Sequence, residues 1–365
     1  MVRKNGKVCV VFGTRPEAIK LWPVILAARA QNLDVIVIST GQQKDLLAQT
    51  MEDLEIIPDF SIAPPKNGAK AEEFVAHTLL TLAKIFSELK PNMVIVQGDT
   101  GSATAGALAA YYSKIPIGHV EAGLRSNDLY APWPEEGNRR LIDSVSRILW
   151  APTAEDSNVG IGSDQQIKIV GNTVVDAMKL IISKAGKEIS EDSNSPVLIT
   201  LHRRESFGRP MANTLKEIVK LSSDISKPIM FLKHPNPNVD LAMQESNFYD
   251  SNIQIIPPMR YSDFIKLLSK SALLITDSGG LQEEAVTLGI PFLVARDKTE
   301  RSLGISEQLN SRLIGANGER LYDSAVEYLD RGRIPIQMRN TFGDGNSSSR
   351  IILDVLEICS GLDQE

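Results

Sequence analysis

The chain has 365 residues, 42% of them hydrophobic, and its 39 Lys and Arg against 45 Asp and Glu give a net charge of −6. This length favours two domains with cores that need neither disulfides nor a structural metal. The acidic balance argues against a general nucleic-acid-binding protein, but not against a local basic pocket for a small anion. Cys9 and Cys359 form no CxxC pair or zinc spacing, and no apolar stretch near the N-terminus could serve as a leader, which together predict a cytoplasmic protein without a membrane segment.

The first half of the chain alternates short apolar runs with helical patterns. Strands are predicted at 8–12, 33–39, 93–97, 117–121, 148–151 and 167–170, and the last two are predicted to be buried. Helices are predicted from residue 16 and at 43–51, 71–89, 102–112 and 135–146. This alternation indicates βαβ units and a parallel sheet that is covered on both faces.

The alternation restarts after a helix predicted at 174–187 and a polar loop at 188–195. Further strands are predicted at 196–201, 229–233, 253–256, 273–276 and 291–294, and helices at 211–222, 261–269, 281–288 and 320–329. The predicted fold is therefore α/β, with two Rossmann-like doubly wound domains over 1–171 and 172–345 and a hinge near Gly171. Because such sheets bind ligands beyond the carboxyl ends of their strands, we expect the active site in a cleft between the two.

The segment GTRPEAIK at 13–20 joins the first strand to the first helix. Backbone N–H groups and the helix dipole at such a junction suit a phosphate, and Arg15 and Lys20 add cationic donors. An ordinary strand-to-helix turn is the alternative. The segment lacks GxGxxG, and no acidic residue closes the second strand, so NAD is not supported.

Three carboxylates follow strands or begin a helix in the first domain. They are those of Asp99, Glu121 and Glu135, with Arg125 and Arg139 beside them in the sequence. One such acid alone would be an N-cap or a first-turn acid. Three of them with two arginines favour a site whose protonation is tuned by its neighbours.

The second domain carries a histidine and a glycine pair at strand ends. His202 follows the first strand and precedes two arginines, which favours a phosphate contact or a proton donor; His234 is a weaker candidate. Gly279 and Gly280 let a pyrophosphate approach the start of a helix, and Glu284 in that helix could reach the two hydroxyls of a ribose. A glycine turn with a solvated helix is the alternative.

These stretches together resemble the non-hydrolysing UDP-N-acetylglucosamine 2-epimerases. The matching segments, in chain order, are GTRPEAIK at 13–20, QGDT at 97–100, HVEAGLR at 119–125, PWPEE at 132–136, HRRESFG at 202–208, TDSGGLQEEA at 276–285 and FGDG at 342–345. The resemblance implies a GT-B-like arrangement and a C-terminal helix over 346–365 that packs back on the first domain. It also implies a homodimer, a UDP-sugar as substrate, neither cofactor nor metal, and a role in making surface polysaccharide precursors.

The resemblance implies a role for each motif residue. The catalytic residues would be Asp99, Glu121, Glu135 and His202. The substrate-binding residues would be Arg15, Lys20, Arg139, Ser278, Gly279, Gly280, Glu284 and Arg301. Gln42, Gln43 and His234 would lie at a site for an activating second UDP-N-acetylglucosamine. The reaction would eliminate UDP to a 2-acetamidoglucal and add it back after protonation on the other face.

The chain departs from the family pattern after Glu300-Arg301, where Ser302-Leu303 stand in place of a proline and a second glutamate, and at Gln43, where the family tends to have a histidine. Sugar specificity and activation therefore stay open. The alternatives are a hydrolysing 2-epimerase, a 2-epimerase of a modified UDP-sugar, a GT-B glycosyltransferase and a catalytically silent nucleotide-sugar sensor.

Overall fold

The computed structural model describes residues 6–65, 69–160, 162–185, 194–203, 206–299 and 302–362. The chain divides into two compact units. One comprises Met1–Leu180 together with Gly343–Glu365, and the other comprises Ile181–Phe342. The predicted boundary is at residue 171, whereas the two units divide inside the helix that follows.

The first unit is built around a parallel sheet. Its strands are β1 (Lys7–Phe12), β2 (Asp34–Ser39), β3 (Phe60–Ser61), β4 (Met93–Gln97), β5 (Ile117–Val120), β6 (Ile148–Ala151) and β7 (Gln166–Ile169). Its helices are α1 (Arg15–Ala30), α2 (Lys44–Asp53), α3 (Ala71–Leu89), α4 (Gly101–Tyr112), α5 (Glu135–Val145) and the beginning of α6 (Thr173–Ala185). The strand order is β3-β2-β1-β4-β5-β6-β7 with parallel pairing throughout the described residues.

The second unit repeats this architecture. Its strands are β8 (Val197–Thr200), β9 (Ile229–Leu232), β10 (Gln254–Ile256), β11 (Leu273–Thr276), β12 (Phe292–Val294) and β13 (Ser311–Leu313), in the order β10-β9-β8-β11-β12-β13. Its helices are α7 (Arg209–Asp224), α8 (Pro237–Glu245), α9 (Tyr261–Ser269), α10 (Gly280–Leu288) and α11 (Leu321–Arg331). The two doubly wound parallel sheets confirm the predicted fold class.

Several predicted elements differ from those observed. The prediction that β7 is buried is wrong, since Ile169 is 54% exposed. The reason is its place at the edge of the sheet, where it pairs with β6 on one side only. β3 and β13 are too short to give a pattern and are not among the predicted strands. α8 is not among the predicted helices, because its Asn236-Pro237 start is also a turn signal.

A glycine at the end of β1 lets α4 approach the sheet closely. A Cβ atom at Gly13 would lie 1.9 Å from Ser102 Oγ and 2.2 Å from Thr40 Oγ1, which no larger residue could accept. Small residues then line α4, and those from Ser102 to Ala107 are buried. The N-terminus of α4 therefore lies directly at the carboxyl edge of β1 and β4.

The C-terminal helix α12 (Ser347–Leu362) belongs to the first unit and packs on α1. The carboxylate of Asp176 accepts the N–H groups of Ser347 and Ser348 at its N-terminus. Asp354 accepts the buried indole N–H of Trp150 at 2.9 Å and pairs with Lys168 at 2.5 Å. No helix among the described residues is long and apolar enough to cross a bilayer.

We expect Asp354→Ala to lower the free energy of unfolding of the first unit by about 1–3 kcal/mol, because the buried Trp150 N–H loses its acceptor. Urea unfolding followed by tryptophan fluorescence measures this, since all three tryptophans of the chain belong to the first unit. The control Leu353→Ala lies on the same helix at a position that is 66% exposed, and should change the value by less than about 0.5 kcal/mol. Equal effects of the two substitutions would contradict the prediction.

Candidate functional site

The N-terminus of α1 is closed by a side chain of the same helix. The buried carboxylate of Glu17 accepts the N–H groups of Gly13 at 3.0 Å and Thr14 at 2.7 Å through Oε2. Its Oε1 accepts the hydroxyl of Thr100 at 2.7 Å, and Thr100 in turn caps α4 by accepting the N–H of Ala103. One carboxylate thus joins the starts of α1 and α4.

This arrangement corrects the expectation of a phosphate held by backbone amides at this junction. The N–H groups of Gly13 and Thr14 bind Glu17, and the N–H of Arg15 donates to Gln43 Oε1 at 3.2 Å. Pro16, the next residue, has no N–H to offer. The helix start is therefore satisfied within the chain, and only the side chains of this segment are available to a ligand.

Lys20 lies against one of the predicted catalytic acids. Its Nζ is 2.5 Å from Oε2 of Glu121, and both side chains are about one-tenth exposed or less. The amide of Gln97, at the end of β4, donates to the same oxygen. Glu121 follows β5 with a positive φ of 63°, a left-handed conformation that turns the chain sharply at the strand end. The ammonium and the amide both favour the ionised carboxylate.

Asp99 binds side chains of α5 and does not cap a helix. The N-cap of α4 is Thr100, so the N-cap alternative for Asp99 is wrong. Its carboxylate receives Arg139 Nε at 2.7 Å and Nη2 at 2.6 Å, and its backbone carbonyl accepts the amide of Asn138 at 2.8 Å. Burial opposes the charge of Arg139, but Asp99 and then the more distant Glu136 and Glu121 raise its pKa.

Glu135 and its neighbour Glu136 have different surroundings. Glu136 is fully buried and accepts the N–H of Ser126 at 2.9 Å and the guanidinium groups of Arg139 and Arg140. Burial alone would raise the pKa of Glu136, but Ser126 and Arg140 bring it below its ordinary value. Glu135, in the first turn of α5, has a buried Oε2 with no hydrogen-bond partner among the described residues. Glu136 therefore holds the loop, and Glu135 keeps an oxygen for a ligand.

His119 forms a buried network that the sequence analysis did not identify. Its Nδ1 is 2.6 Å from Asp143 Oδ1 and its Nε2 is 2.8 Å from the carbonyl oxygen of Gly98. The other oxygen of Asp143 accepts Arg125 Nη2 at 2.6 Å. His119 and Arg125 stand in the HVEAGLR segment, so the available signal was a histidine in a strand two residues before a candidate acid.

In the second unit, α10 begins at the glycine pair. Gly279 is its N-cap, and the N–H of Ser278 donates to Thr276 Oγ1 at 3.0 Å. A Cβ atom at Gly280 would meet no described atom within 4 Å, and its φ is not positive. Neither the backbone conformation nor the packing of the described residues requires glycine at residue 280. The missing side chain leaves space at the positive end of the helix dipole.

Glu284 and Tyr261 form a pair beside this helix start. The hydroxyl of Tyr261 donates to Glu284 Oε1 at 2.6 Å, and both residues are buried. The motifs predict a role for Glu284 but not for Tyr261, which is the first residue of α9 and belongs to no motif. A buried glutamate that is oriented by a phenol has the rigidity needed to recognise paired hydroxyls.

Asp277 organises the two histidines of the second unit. Its Oδ2 accepts the N–H groups of His202 at 2.9 Å and Arg203 at 2.8 Å, and its Oδ1 lies 3.3 Å from His202 Nδ1. The rings of His202 and His234 stack with centroids 5.5 Å apart. Burial and then His202 lower the pKa of His234. The structure thus brings together two histidines for which the sequence analysis gave separate roles.

Gln42 and Gln43 connect the loop after β2 to the same edge of the first sheet. Gln42 Oε1 accepts the N–H and hydroxyl of Ser102 at 3.0 and 2.7 Å, and Gln43 binds the backbone of Arg15. Arg301 lies outside the described residues. Among the described residues, no group of three or more His, Cys, Asp or Glu side chains could hold a metal ion.

Comparison with known proteins gives a consistent result over nearly the whole chain. The family described as UDP-N-acetylglucosamine 2-epimerase matches residues 26–357. The UDP-N-acetylglucosamine 2-epimerase of Neisseria meningitidis serogroup A is 37% identical over 96% of this chain and 99% of its own. A crystal structure of the N. meningitidis enzyme bound to UDP-GlcNAc superposes with a TM-score of 0.85 at 36% identity, covering 96% of this chain and 100% of that one. The Methanocaldococcus jannaschii enzyme in complex with UDP-GlcNAc and UDP gives a TM-score of 0.76 at 34% identity, covering 96% and 99%.

We expect Glu17→Gln to remove a pH dependence of stability in the first unit. Burial raises the pKa of Glu17 from 4.5 to about 7, against the opposing hydrogen bonds of Thr100, Gly13 and Thr14. Between these two values the folded state binds more protons than the unfolded state, so the free energy of unfolding falls as pH rises through this window. Urea unfolding followed by tryptophan fluorescence at several pH values should show this slope in the unsubstituted protein and a flatter one in the variant.

Glu73→Gln is the matched control for this prediction. Glu73 accepts the N–H of Lys70 at the start of α3 with the same spacing, but it is exposed. Its substitution should leave the slope unchanged. An unaltered slope in Glu17→Gln would show that Glu17 does not titrate in this window.

Proposed function

This chain belongs to the UDP-N-acetylglucosamine 2-epimerase family, and on that basis we propose that it interconverts UDP-N-acetylglucosamine and UDP-N-acetylmannosamine. The proposed route is non-hydrolysing: UDP is eliminated and then added back to the same sugar. A role in supplying surface polysaccharide precursors is part of the proposal. The cytoplasmic location and the homodimer stay predictions.

The chemistry of the sugar explains why elimination is needed. The proton at C2 is not adjacent to a carbonyl group, so its direct removal by a base is very difficult. Breaking the C1–O bond makes C1 cation-like and the C2 proton removable, which gives 2-acetamidoglucal and UDP. Protonation of C2 on the other face and return of the UDP oxygen to C1 complete the inversion. The route requires more than one acid–base group and stabilisation of the leaving diphosphate.

The observation that carries the proposal is the group of acids at the carboxyl edge of the first sheet. Asp99 follows β4, Glu121 follows β5, and both contribute to the raised pKa of Arg139, while Glu135 begins the helix that carries Arg139. We assign proton transfer at C2 to these three carboxylates. Lys20, whose Nζ is 2.5 Å from Glu121, is assigned to the orientation of that acid as well as to the diphosphate or uridine site, and Arg15 is assigned to the same site.

The second unit is assigned to the nucleotide. The start of α10 at Gly279 and Gly280 offers backbone N–H groups and open space to the diphosphate, and Ser278 offers its hydroxyl. Glu284 offers its carboxylate to the ribose hydroxyls. His202, beside Asp277, is assigned to the leaving phosphate oxygen as a hydrogen-bond donor. Arg301 is assigned to the same ligand. The relatives crystallised with UDP-GlcNAc, and with UDP-GlcNAc and UDP, support a UDP-sugar as the ligand. Activation by a second UDP-N-acetylglucosamine is part of the proposal.

Incubation with UDP-N-acetylglucosamine in D₂O, followed by NMR, tests the reaction. We expect UDP-N-acetylmannosamine to appear and deuterium to accumulate at C2 of both UDP-sugars, because the C2 proton exchanges with solvent in each passage through the glycal. Release of free N-acetylmannosamine with UDP would instead identify a hydrolysing enzyme. Binding of an unchanged substrate would identify a sensor or an enzyme for a modified UDP-sugar.

We expect Asp99→Asn to abolish epimerisation while UDP binds with unchanged affinity, because the carboxylate acts on the sugar. The expected loss in kcat is about 10²-fold or more, which is in the range for removal of an acid–base group. Activity assays and calorimetric titration with UDP measure the two effects. Glu88→Gln, an exposed acid on α3, should leave both values unchanged. Loss of UDP binding by a folded Asp99→Asn protein would contradict the assignment.

A further inference from the structure

The fully buried ring of His119 has a hydrogen-bond acceptor at each nitrogen. At Nε2 it is the backbone carbonyl of Gly98, which can only accept, so this nitrogen carries a proton. At Nδ1 it is Asp143, whose second oxygen receives the guanidinium of Arg125. A carboxylate shared by a guanidinium and a ring nitrogen, each at 2.6 Å, is ionised, so Nδ1 also carries a proton. Both ring nitrogens are therefore placed to donate, which is the hydrogen-bonding pattern of an imidazolium.

The charges around the ring agree with this protonation state. Burial alone would raise the pKa of Asp143, but His119 and then Arg125 bring it below its ordinary value. The charged side chains of α5, the helix that carries Asp143, are Glu135, Glu136, Arg139, Arg140 and Asp143 itself. β4 and β6 carry no titratable side chain, and the tyrosines of α4 stand exposed at its C-terminal end. Asp143 is thus the acid that faces the ring, and Arg125 is the cation behind it.

The imidazolium connects the two strand ends that carry the acids. Gly98, whose carbonyl it binds, immediately precedes Asp99 and has a φ of 69°, a conformation that favours glycine. His119 itself lies in β5, two residues before Glu121. The backbone at Asp99 is thus held by Asn138 at its own carbonyl and by His119 at the preceding one.

Resting on the proposed function, we propose that His119 is a positioning residue for the chemistry at C2. Its imidazolium, held between Asp143 and the Gly98 carbonyl, fixes the direction of the chain at Asp99 relative to Glu121. A neutral ring could donate to only one of the two partners. With both donors present, the ring of His119 in β5 joins Asp143 of α5 to the turn at Gly98. The substrate does not touch the ring.

NMR of ¹⁵N-labelled histidine tests the protonation state in the unsubstituted protein. The chain contains four histidines, so its ring signals can be assigned by single substitutions. We expect His119 to show two protonated ring nitrogens, because each nitrogen faces an acceptor. A neutral tautomer at about pH 7 would overturn the proposal.

Two substitutions of His119 separate its two hydrogen bonds. A glutamine amide nitrogen reaches approximately the place of Nε2, so His119→Gln keeps the donor to Gly98. An asparagine amide nitrogen occupies approximately the place of Nδ1, so His119→Asn keeps the donor to Asp143 and releases Gly98. We expect His119→Asn to lose about 10²-fold in kcat and in C2 deuterium exchange, and His119→Gln to lose about 10-fold or less, because misplacement of an acid is costly. KM and the Kd for UDP should stay within a factor of about 2 of the unsubstituted values, since positioning acts after binding.

His77→Asn is the control, because this exposed histidine of α3 also binds a backbone carbonyl, that of Ala63, at 3.1 Å. It should leave kcat unchanged. Equal losses in the two His119 variants, or a raised KM with unchanged kcat, would overturn the positioning role. If either variant fails to fold, the NMR measurement on the unsubstituted protein still decides the protonation state. Absence of C2 exchange in the unsubstituted enzyme would refute the proposed function and leave that NMR result standing.

Discussion

The carboxylate of Glu17 fixes the edge of the sheet on which the first-unit site is built. It binds the backbone at the end of β1 through Gly13 and Thr14, and the start of α4 through Thr100. Because β1 and β4 are neighbours in the sheet, these bonds set the two strand ends and the two helix starts relative to one another. Every acid assigned to the sugar in this unit lies beside an element held in this way.

The acids at this edge are held by positive groups that come from distant parts of the chain. Lys20 from α1 meets Glu121, Arg139 from α5 meets Asp99, and Arg125 meets Asp143, which also binds the ring of His119. Such pairs lower the cost of placing several carboxylates in a confined region. The net charge of −6 argues against a polyanionic partner, but it carries no information about this local compensation.

Most of the fold could be predicted from the sequence, because apolar runs and helical periods are local properties. β4 and α3 were predicted at their observed bounds, whereas β7 was predicted to be buried. Burial of an edge strand depends on what lies on either side of it, which no local pattern records. The Asn236-Pro237 pair was ambiguous for the same reason, since it can begin either a helix or a turn.

The sequence by itself determined the family, the two doubly wound sheets and the strand ends that carry polar residues, because these depend on order and period along the chain. Only the tertiary structure decided how those residues are used. Lys20 and Glu121 are 101 positions apart in the chain, and no local sequence pattern predicts that this lysine binds this acid. The same holds for Glu135 and Glu136, which have the same side chain in successive positions. Their difference comes from the direction of each side chain on α5: Glu136 points to Ser126, Arg139 and Arg140, while Glu135 keeps a buried oxygen that no described residue binds.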